Sequence, residues 1–270
     1  MADDKGTAMT DLSARTIFIT GSGGVLGSTY VRRMLAAGAK VVASDLPGHR
    51  AEALMTAHGE HPNFRFYPLD VADETAVTRI FQTILSDGWH PNVVLNNAAI
   101  TGELLMGAGK PFPDFANTSV DDWERTLRTN LTGAFMIARQ MDRDIVGKWP
   151  CSLINVASMY ALNGPHHAIY EGMPFRSFSA YSTTKAGIHG LTLWLAGYWA
   201  PRQATVNTIA PGAVFNGHSE EFQRRVGALI MQGRMAQPDE IADAMLFLCS
   251  PQAGYMTGQL VNVDGGFSGW

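Results

Sequence analysis

Tyr181-Ser-Thr-Thr-Lys185 places a phenol and an ammonium four residues apart, on one face of a helix. A phenol with a pKa of about 10 is a poor base at neutral pH. A cation held beside it favours the phenolate and lowers that pKa. The pair is therefore suited to general acid/base work, moving a proton on or off an alcohol oxygen. Alone the spacing is ordinary, because Tyr and Lys at i, i+4 commonly just pack and solvate a helix face. The elements around the pair decide between the two readings.

Short β-branched runs alternate with longer helical patterns along the chain. Strands are predicted at Thr16–Thr20, Lys40–Ser44, Phe64–Pro68, Val93–Asn96, Ser152–Val156, Thr205–Ile209 and Leu260–Val263. They are nearly continuous apolar runs, as strands covered on both faces should be. Helices are predicted at Leu26–Ala37, Asp73–Ser86, Asp121–Val146, Ala180–Ala200, Glu220–Met231 and Asp239–Leu248. Asp121 with Glu124 reads as a capping box, and Gly38 stands where a glycine ends a helix. The alternation implies an α/β fold, a Rossmann-like doubly wound domain whose parallel sheet carries helices on both faces. Residues 14–270 are expected to form this single domain, after a flexible N-terminus over 1–13.

The first strand runs straight into Gly21-Ser22-Gly23-Gly24-Val25-Leu26-Gly27. A glycine-rich turn at the first strand–helix junction lets backbone N–H groups approach a pyrophosphate. Asp45 follows the second strand, where a carboxylate can accept from the diol of an adenine ribose. A 2′-phosphate there would meet a like charge, and the loop Ser22-Gly23-Gly24 carries no basic residue. Arg50 is the nearby cation and reads as solvated surface. The expected cofactor is therefore NAD.

Taken in order, these and later motifs resemble the short-chain dehydrogenase/reductase family over residues 14 to 267. Thr20, Gly21 and Gly27 match its cofactor turn, with Val25 in place of the middle glycine and Ser22, Gly24 and Leu26 beside it. Asp70-Val71, Asn96-Asn97-Ala98-Ala99, Asn130, Ser158, Tyr181 with Lys185, Pro211-Gly212 and Asp264-Gly265-Gly266 match its remaining signatures. The resemblance implies that Tyr181 is the acid/base and that Lys185 lowers its pKa and holds the nicotinamide ribose. It implies that Ser158 holds the reacting oxygen and that Asn130 holds a water relaying protons from Lys185. It also puts Asp70, Val71, Asn97, Ala98, Ala99, Pro211, Gly212 and Val214 at the cofactor.

Two stretches, 102–117 and 163–177, are longer than the resemblance requires, and both leave from the C-terminal ends of strands, where open α/β sheets bind ligands. A lid is expected over 215–232. Thr101, Tyr160, Asn163, Glu171, Arg176, Phe215 and Asn216 are the candidate substrate contacts. Glu171 and Arg176 favour a small polar secondary alcohol or ketone: a sugar, sugar acid or polyol. His166-His167 lacks a third ligand at metal spacing, so no metal is expected. Competing readings are a 3-oxoacyl (carrier protein) reductase, a lyase or epimerase, and a nucleotide-sensing protein on the same fold. Net charge is −4 with no block of like charge, which disfavours nucleic acid. Apolar runs fall short of membrane-spanning length, and two cysteines fit a reducing cytoplasm. Phe135, Met136, Leu191, Trp194, Leu195, Trp199 and the Trp270 tail exceed what one face of a sheet should need. A homotetramer is expected, with a dimer as runner-up.

Overall fold

A computed structural model describes residues 10–107 and 112–270; residues 108–111 of the 102–117 stretch and 1–9 of the expected N-terminal segment lie outside them. The chain runs β1 (Thr16–Thr20), α1 (Val25–Ala36), β2 (Lys40–Asp45), α2 (His49–His58), β3 (Phe64–Pro68), α3 (Glu74–Ser86), β4 (Val93–Asn96) and α4 (Gly102–Met106). It continues through α5 (Val120–Leu127), α6 (Gly133–Asp144), β5 (Cys151–Val156), α7 (Ser179–Trp199), β6 (Ala204–Pro211), α8 (Glu220–Gly227), α9 (Pro238–Cys249) and β7 (Leu260–Val263). All seven strands pair in parallel, in the order β3-β2-β1-β4-β5-β6-β7. The order reverses between β1 and β4, which opens a crevice at the carboxyl ends of those strands.

Alternate residues of each strand serve opposite cores. Ile17, Ile19, Val41, Ala43, Leu95 and Ile154 pack with Tyr30, Val31 and Met34 of α1 and with Ile241 and Met245 of α9. Phe18, Val42, Val94, Leu153 and Val206 face the other way, onto α3, α6 and α7. The seven predicted strands are all present. The helix α2 is an addition, since its short polar sequence carries little periodic signal. Gly38 ends α1 as expected, at φ +85° with its N–H on Leu35 O.

Three helix expectations are corrected. Asp121 and Glu124 form no capping box; Ser119 caps α5, its side chain accepting from the Asp122 N–H. The expected 121–146 helix is interrupted by a π turn at Arg128–Thr132, where the Gly133 N–H reaches Arg128 O five residues back. The predicted Glu220–Met231 helix stops at Gly227, where a Cβ would sit 2.7 Å from Gly233 O. Of the apolar residues read as surplus, Met136, Leu195 and Trp199 lie in this chain's own core. Phe135 and Trp194 are exposed. Among the described residues no helix is long and apolar enough to cross a membrane, and no cluster of His, Cys, Asp or Glu could hold a metal ion.

Candidate active site

The nucleotide end is built from close backbone approaches. Gly21 sits at φ +64°, and a Cβ there would lie 2.6 Å from the Ala98 Cα. At Gly27 a Cβ would lie 2.2 Å from Gly21 O and 2.8 Å from the Ser22 Cα. No other residue type fits either position without moving backbone. Gly24 is less constrained, with its nearest neighbour at 3.5 Å. Val25 takes the first position of α1 with an ordinary φ and an exposed side chain. Leu26 packs inward against the core below. Ser22 is buried, its N–H and hydroxyl both donating to Ser44 O.

Thr20 and Asn97 lock this turn to β4. The Asn97 amide donates to Thr20 O and Gly21 O at 3.0 and 2.8 Å, and the Thr20 hydroxyl accepts from the Asn97 and Ala98 N–H groups. Asp45 joins the loop directly: one carboxylate oxygen accepts from the Gly23 N–H at 2.7 Å, the other from Leu46 N–H. Arg50, read from sequence as plain surface, is exposed, yet its Cβ would be 2.7 Å from a Cβ at Gly23. The helix α2 thus brings the Arg50 backbone and Cβ to the same corner as Asp45. Asp70 caps its own turn through the Ala72 N–H, and Val71 is buried against Gly133 at the start of α6. Gly212 approaches the Asp264 Cα so closely that a Cβ would be 2.7 Å away. Asp264 itself holds the final turn, accepting from Gly266 N–H, Ser268 N–H and the Ser268 hydroxyl.

The Tyr181–Lys185 pair lies where α7 crosses β5. Lys185 is 4 % exposed, and its Nζ donates to Val156 O at 2.7 Å, the last residue of β5. The same Nζ stands 5.5 Å from the centre of the Tyr181 ring. Burial pushes the Lys185 ammonium down to about 8. Ser158 is buried directly after β5, its hydroxyl accepting from the Tyr160 N–H at 3.2 Å, and the short helical turn that it caps packs on α7. Tyr181 packs against the buried cluster of Leu105, Phe178 and Ala180, which Ile100, Met106 and Trp123 also cover, so its surroundings on that side are apolar.

Asn130 sits inside the π turn and is 2 % exposed. Its Oδ1 accepts from Ile100 N–H at 2.7 Å, and its amide donates to Ile100 O and the Thr184 hydroxyl. The side chain is therefore committed to fastening the loop after β4 onto α7. A water relay at this residue would have to use its backbone. Below the site runs a row of buried polar groups, of which the sequence reading named Asn96 alone. Asn96 donates to Asn155 Oδ1, Asn155 to Thr192 Oγ1 and Thr208 to Thr192 Oγ1, all at 2.7–2.8 Å. Asn96, Asn155 and Thr208 stand side by side on β4, β5 and β6, and Thr192 ties that row to α7. The strand register that aligns them is not visible in one dimension.

The candidate substrate residues divide. Tyr160 and Phe215 join an apolar cluster with Ile169, Tyr170, Phe175, Phe222 and Phe267. The Tyr160 and Tyr170 hydroxyls are 2.7 Å apart. Asn163 carries a buried Oδ1 with no protein partner. Thr101 precedes α4 and its Oγ1 faces the Leu104 N–H. Glu171, Arg176 and Asn216 are exposed. The short helix α4 brings Leu105 to Tyr181, while Phe115 of the same stretch is exposed. A cavity of about 220 Å³ lies beside this region, between Gly212, Asp264 and the Arg234–Glu240 ion pair, and does not include Ser158, Tyr181 or Lys185.

A family model described as enoyl-(acyl carrier protein) reductase matches residues 23–268. A 3-oxoacyl-[acyl-carrier-protein] reductase of Aquifex aeolicus is 31% identical, over 94% of this chain and 98% of its own. A 3β-hydroxysteroid dehydrogenase of Eggerthella lenta is 32% identical, over 96% and 95%. Among solved structures, a short-chain dehydrogenase of Leptospira borgpetersenii with bound NAD+ superposes with a TM-score of 0.82 at 26% identity, covering 96% of this chain and 94% of that one. The chain belongs to the short-chain dehydrogenase/reductase family and is an oxidoreductase of that class.

Proposed function

We propose that this protein interconverts a secondary alcohol and a ketone with NAD(H). The observation that carries the reading is the Lys185 ammonium, buried between Val156 O and the Tyr181 ring beside Ser158. An unpaired buried cation is costly, and a phenolate forming next to it relieves that cost. In the oxidative direction Tyr181 takes the hydroxyl proton while the Ser158 hydroxyl holds the same oxygen. In the reverse direction Tyr181 returns the proton to the carbonyl oxygen. A positioned base of this kind contributes about 10²–10⁴-fold.

The nucleotide fits the residues present: Gly21 and Gly27 leave a cradle that a Cβ would fill, and Asp45 stands at its ribose end. Gly21, Ser22, Gly24, Val25, Leu26, Asp70, Val71, Asn97 to Ala99, Pro211, Gly212 and Val214 would line it. When bound, a nicotinamide nucleotide supplies the hydride acceptor or donor. NAD(H) over NADP(H) rests on the Asp45 carboxylate, with Arg50 as the opposing charge. Assembly as a homotetramer, or failing that a dimer, is supported by exposed Phe135, Leu193, Trp194 and Tyr198.

For the substrate, a sugar, sugar acid or polyol was the class favoured by Glu171 and Arg176. Both are exposed, whereas Tyr160, two residues from Ser158, packs into an apolar cluster rich in aromatic residues and meets the Phe267 ring. An alcohol or ketone with an apolar ring body is the second reading, favoured by that cluster. Screening polyols, sugar acids and alicyclic alcohols with NAD+ at the NADH absorbance band separates them. Turnover confined to the polyols would remove the second reading; turnover confined to the alicyclic alcohols would remove the first. Binding of NADH without any net change in that band over the whole panel would favour an epimerase, a lyase or a sensor.

A further inference from the structure

The stretch 163–177 and the lid read as separate loops in the sequence, but one side chain joins them. Arg225, on α8, donates from Nη1 to Glu171 O at 2.6 Å and to Ile169 O at 3.3 Å. Its Nε donates to Glu221 Oε1 at 2.7 Å, one turn earlier on the same helix. Glu221 also receives Arg224. Arg225 first and Arg224 second hold the Glu221 carboxyl below the usual carboxylate range. The guanidinium is therefore aimed by its own helix before it meets the loop. Its two acceptors belong to the turn His167–Tyr170 and the residue after it. The last carbonyls of such a turn have no partner inside it, and the two hydrogens of the single nitrogen Nη1 can serve two at once.

Around this clamp the contacts are apolar and aromatic. Ile169 is buried among Phe222 and Val226. Phe175 and Tyr170 lie 4.9 and 5.8 Å from the Phe222 ring. The chain terminus joins the same body: Phe267 meets Tyr160 and His166, and the Trp270 indole donates to Leu229 O. Apolar contacts are non-directional and tolerate sliding. The Arg225 hydrogen bonds are directional, so they set the register of the stretch on the helix.

We propose that 163–177 and α8 form one recognition body over Ser158 and Tyr181, and that Arg225 is the positioning residue coupling them. This rests on reading Ser158, Tyr181 and Lys185 as a dehydrogenase site. Coupling means that substrate is held by an outer wall that opens and closes as one piece. The nucleotide turn, built from β1, β2 and β4, is outside that body.

Hydrogen exchange on the full chain, read on peptides spanning 166–175, tests the coupling without a substrate. In Arg225→Met these amides should exchange about tenfold faster while β5 and α7 stay unchanged. Arg225→Lys keeps the charge but not the fork and should fall between the two. For a substrate found by the screen above, Arg225→Met should raise KM about tenfold, leave kcat within about twofold and leave NADH affinity unaltered. Exchange over 166–175 that ignores Arg225→Met would overturn the proposal. So would protection lost throughout the sheet, or NADH affinity falling together with substrate affinity, since either marks a purely structural arginine. Should Arg225→Met not fold, Arg225→Lys and Glu221→Gln carry the same comparison. Failure of the dehydrogenase reading would appear elsewhere, as full turnover in Tyr181→Phe, and would leave the exchange comparison standing.

Discussion

The two ends of the crevice are made by different means. At the nucleotide end the tolerances are backbone tolerances: Gly27 clears Gly21 O only because it has no Cβ, and Gly21 does the same against Ala98. At the substrate end the surfaces are side chains from three distant segments: Tyr160 and Tyr170, Phe215 and Phe222, and Phe267. A backbone cradle admits little change, because an added Cβ there meets main-chain atoms that can move only with the strands. A side-chain wall can be rebuilt residue by residue without disturbing the sheet. The Tyr181–Lys185 pair stands on the helix between them, anchored to β5 and to the buried row Asn96, Asn155, Thr192 and Thr208.

The sharpest way to separate the two ends is to remove the proton carrier between them. Tyr181→Phe should lower turnover by at least about 10²-fold and leave NADH affinity near its original value. Near-normal turnover would sink the mechanism. Next in size is Gly27→Ala, which forces backbone apart and should weaken NADH binding by well over about tenfold, seen by fluorescence titration. The same change on the substrate side, Gly164→Ala, meets open space and should alter neither binding nor folding. Equal effects of the two alanines would erase the contrast drawn here.

Cofactor choice should show a smaller effect. The protein should bind NADH about tenfold more tightly than NADPH, and Asp45→Ala should narrow that gap. If Arg50 outweighs Asp45, the unaltered protein will show no preference at all.

Stability should respond to pH as well, and the sign of that response is set by burial of Lys185. An unfolded lysine releases its proton near 10.5 and this one at about 8. The folded state is therefore penalised fully below pH 8, and the penalty fades as pH rises from 8 to 10.5. Relative to Lys185→Met, the unaltered protein should gain up to about 3 kcal/mol across that window. Denaturant titrations of both proteins at pH 7, 9 and 10.5 measure it. A constant difference would mean that the ammonium is solvated or paired in solution.

Much of this was legible in one dimension because its causes are local. Apolar runs of strand length and helical periodicity mark β1 to β7 and the larger helices, and a glycine turn at the first strand–helix junction marks the nucleotide end. Tyr181 and Lys185 share a helix face by spacing alone. The faint elements were those with weak local signal: α2, whose polar sequence is defined mainly by the strands it connects, and α4. The π turn at Asn130 escaped because its sequence is compatible with an unbroken helix. What selects the wider turn is the pairing of Asn130 with Ile100 and Thr184.

The amino-acid sequence by itself determined the fold class, the strand inventory and the shared helix face of Tyr181 and Lys185, because each rests on neighbours within a few positions. Only the tertiary structure decided what those residues meet. Asp45 bonds Gly23 from 22 positions away, and Arg225 bonds Glu171 across 54. It also turned the inward faces of 163–177 to aromatic residues and left Glu171 and Arg176 exposed. The reason is physical: a side chain's partners follow from strand register and helix docking, which sum contacts over the whole chain and leave no local periodicity to read.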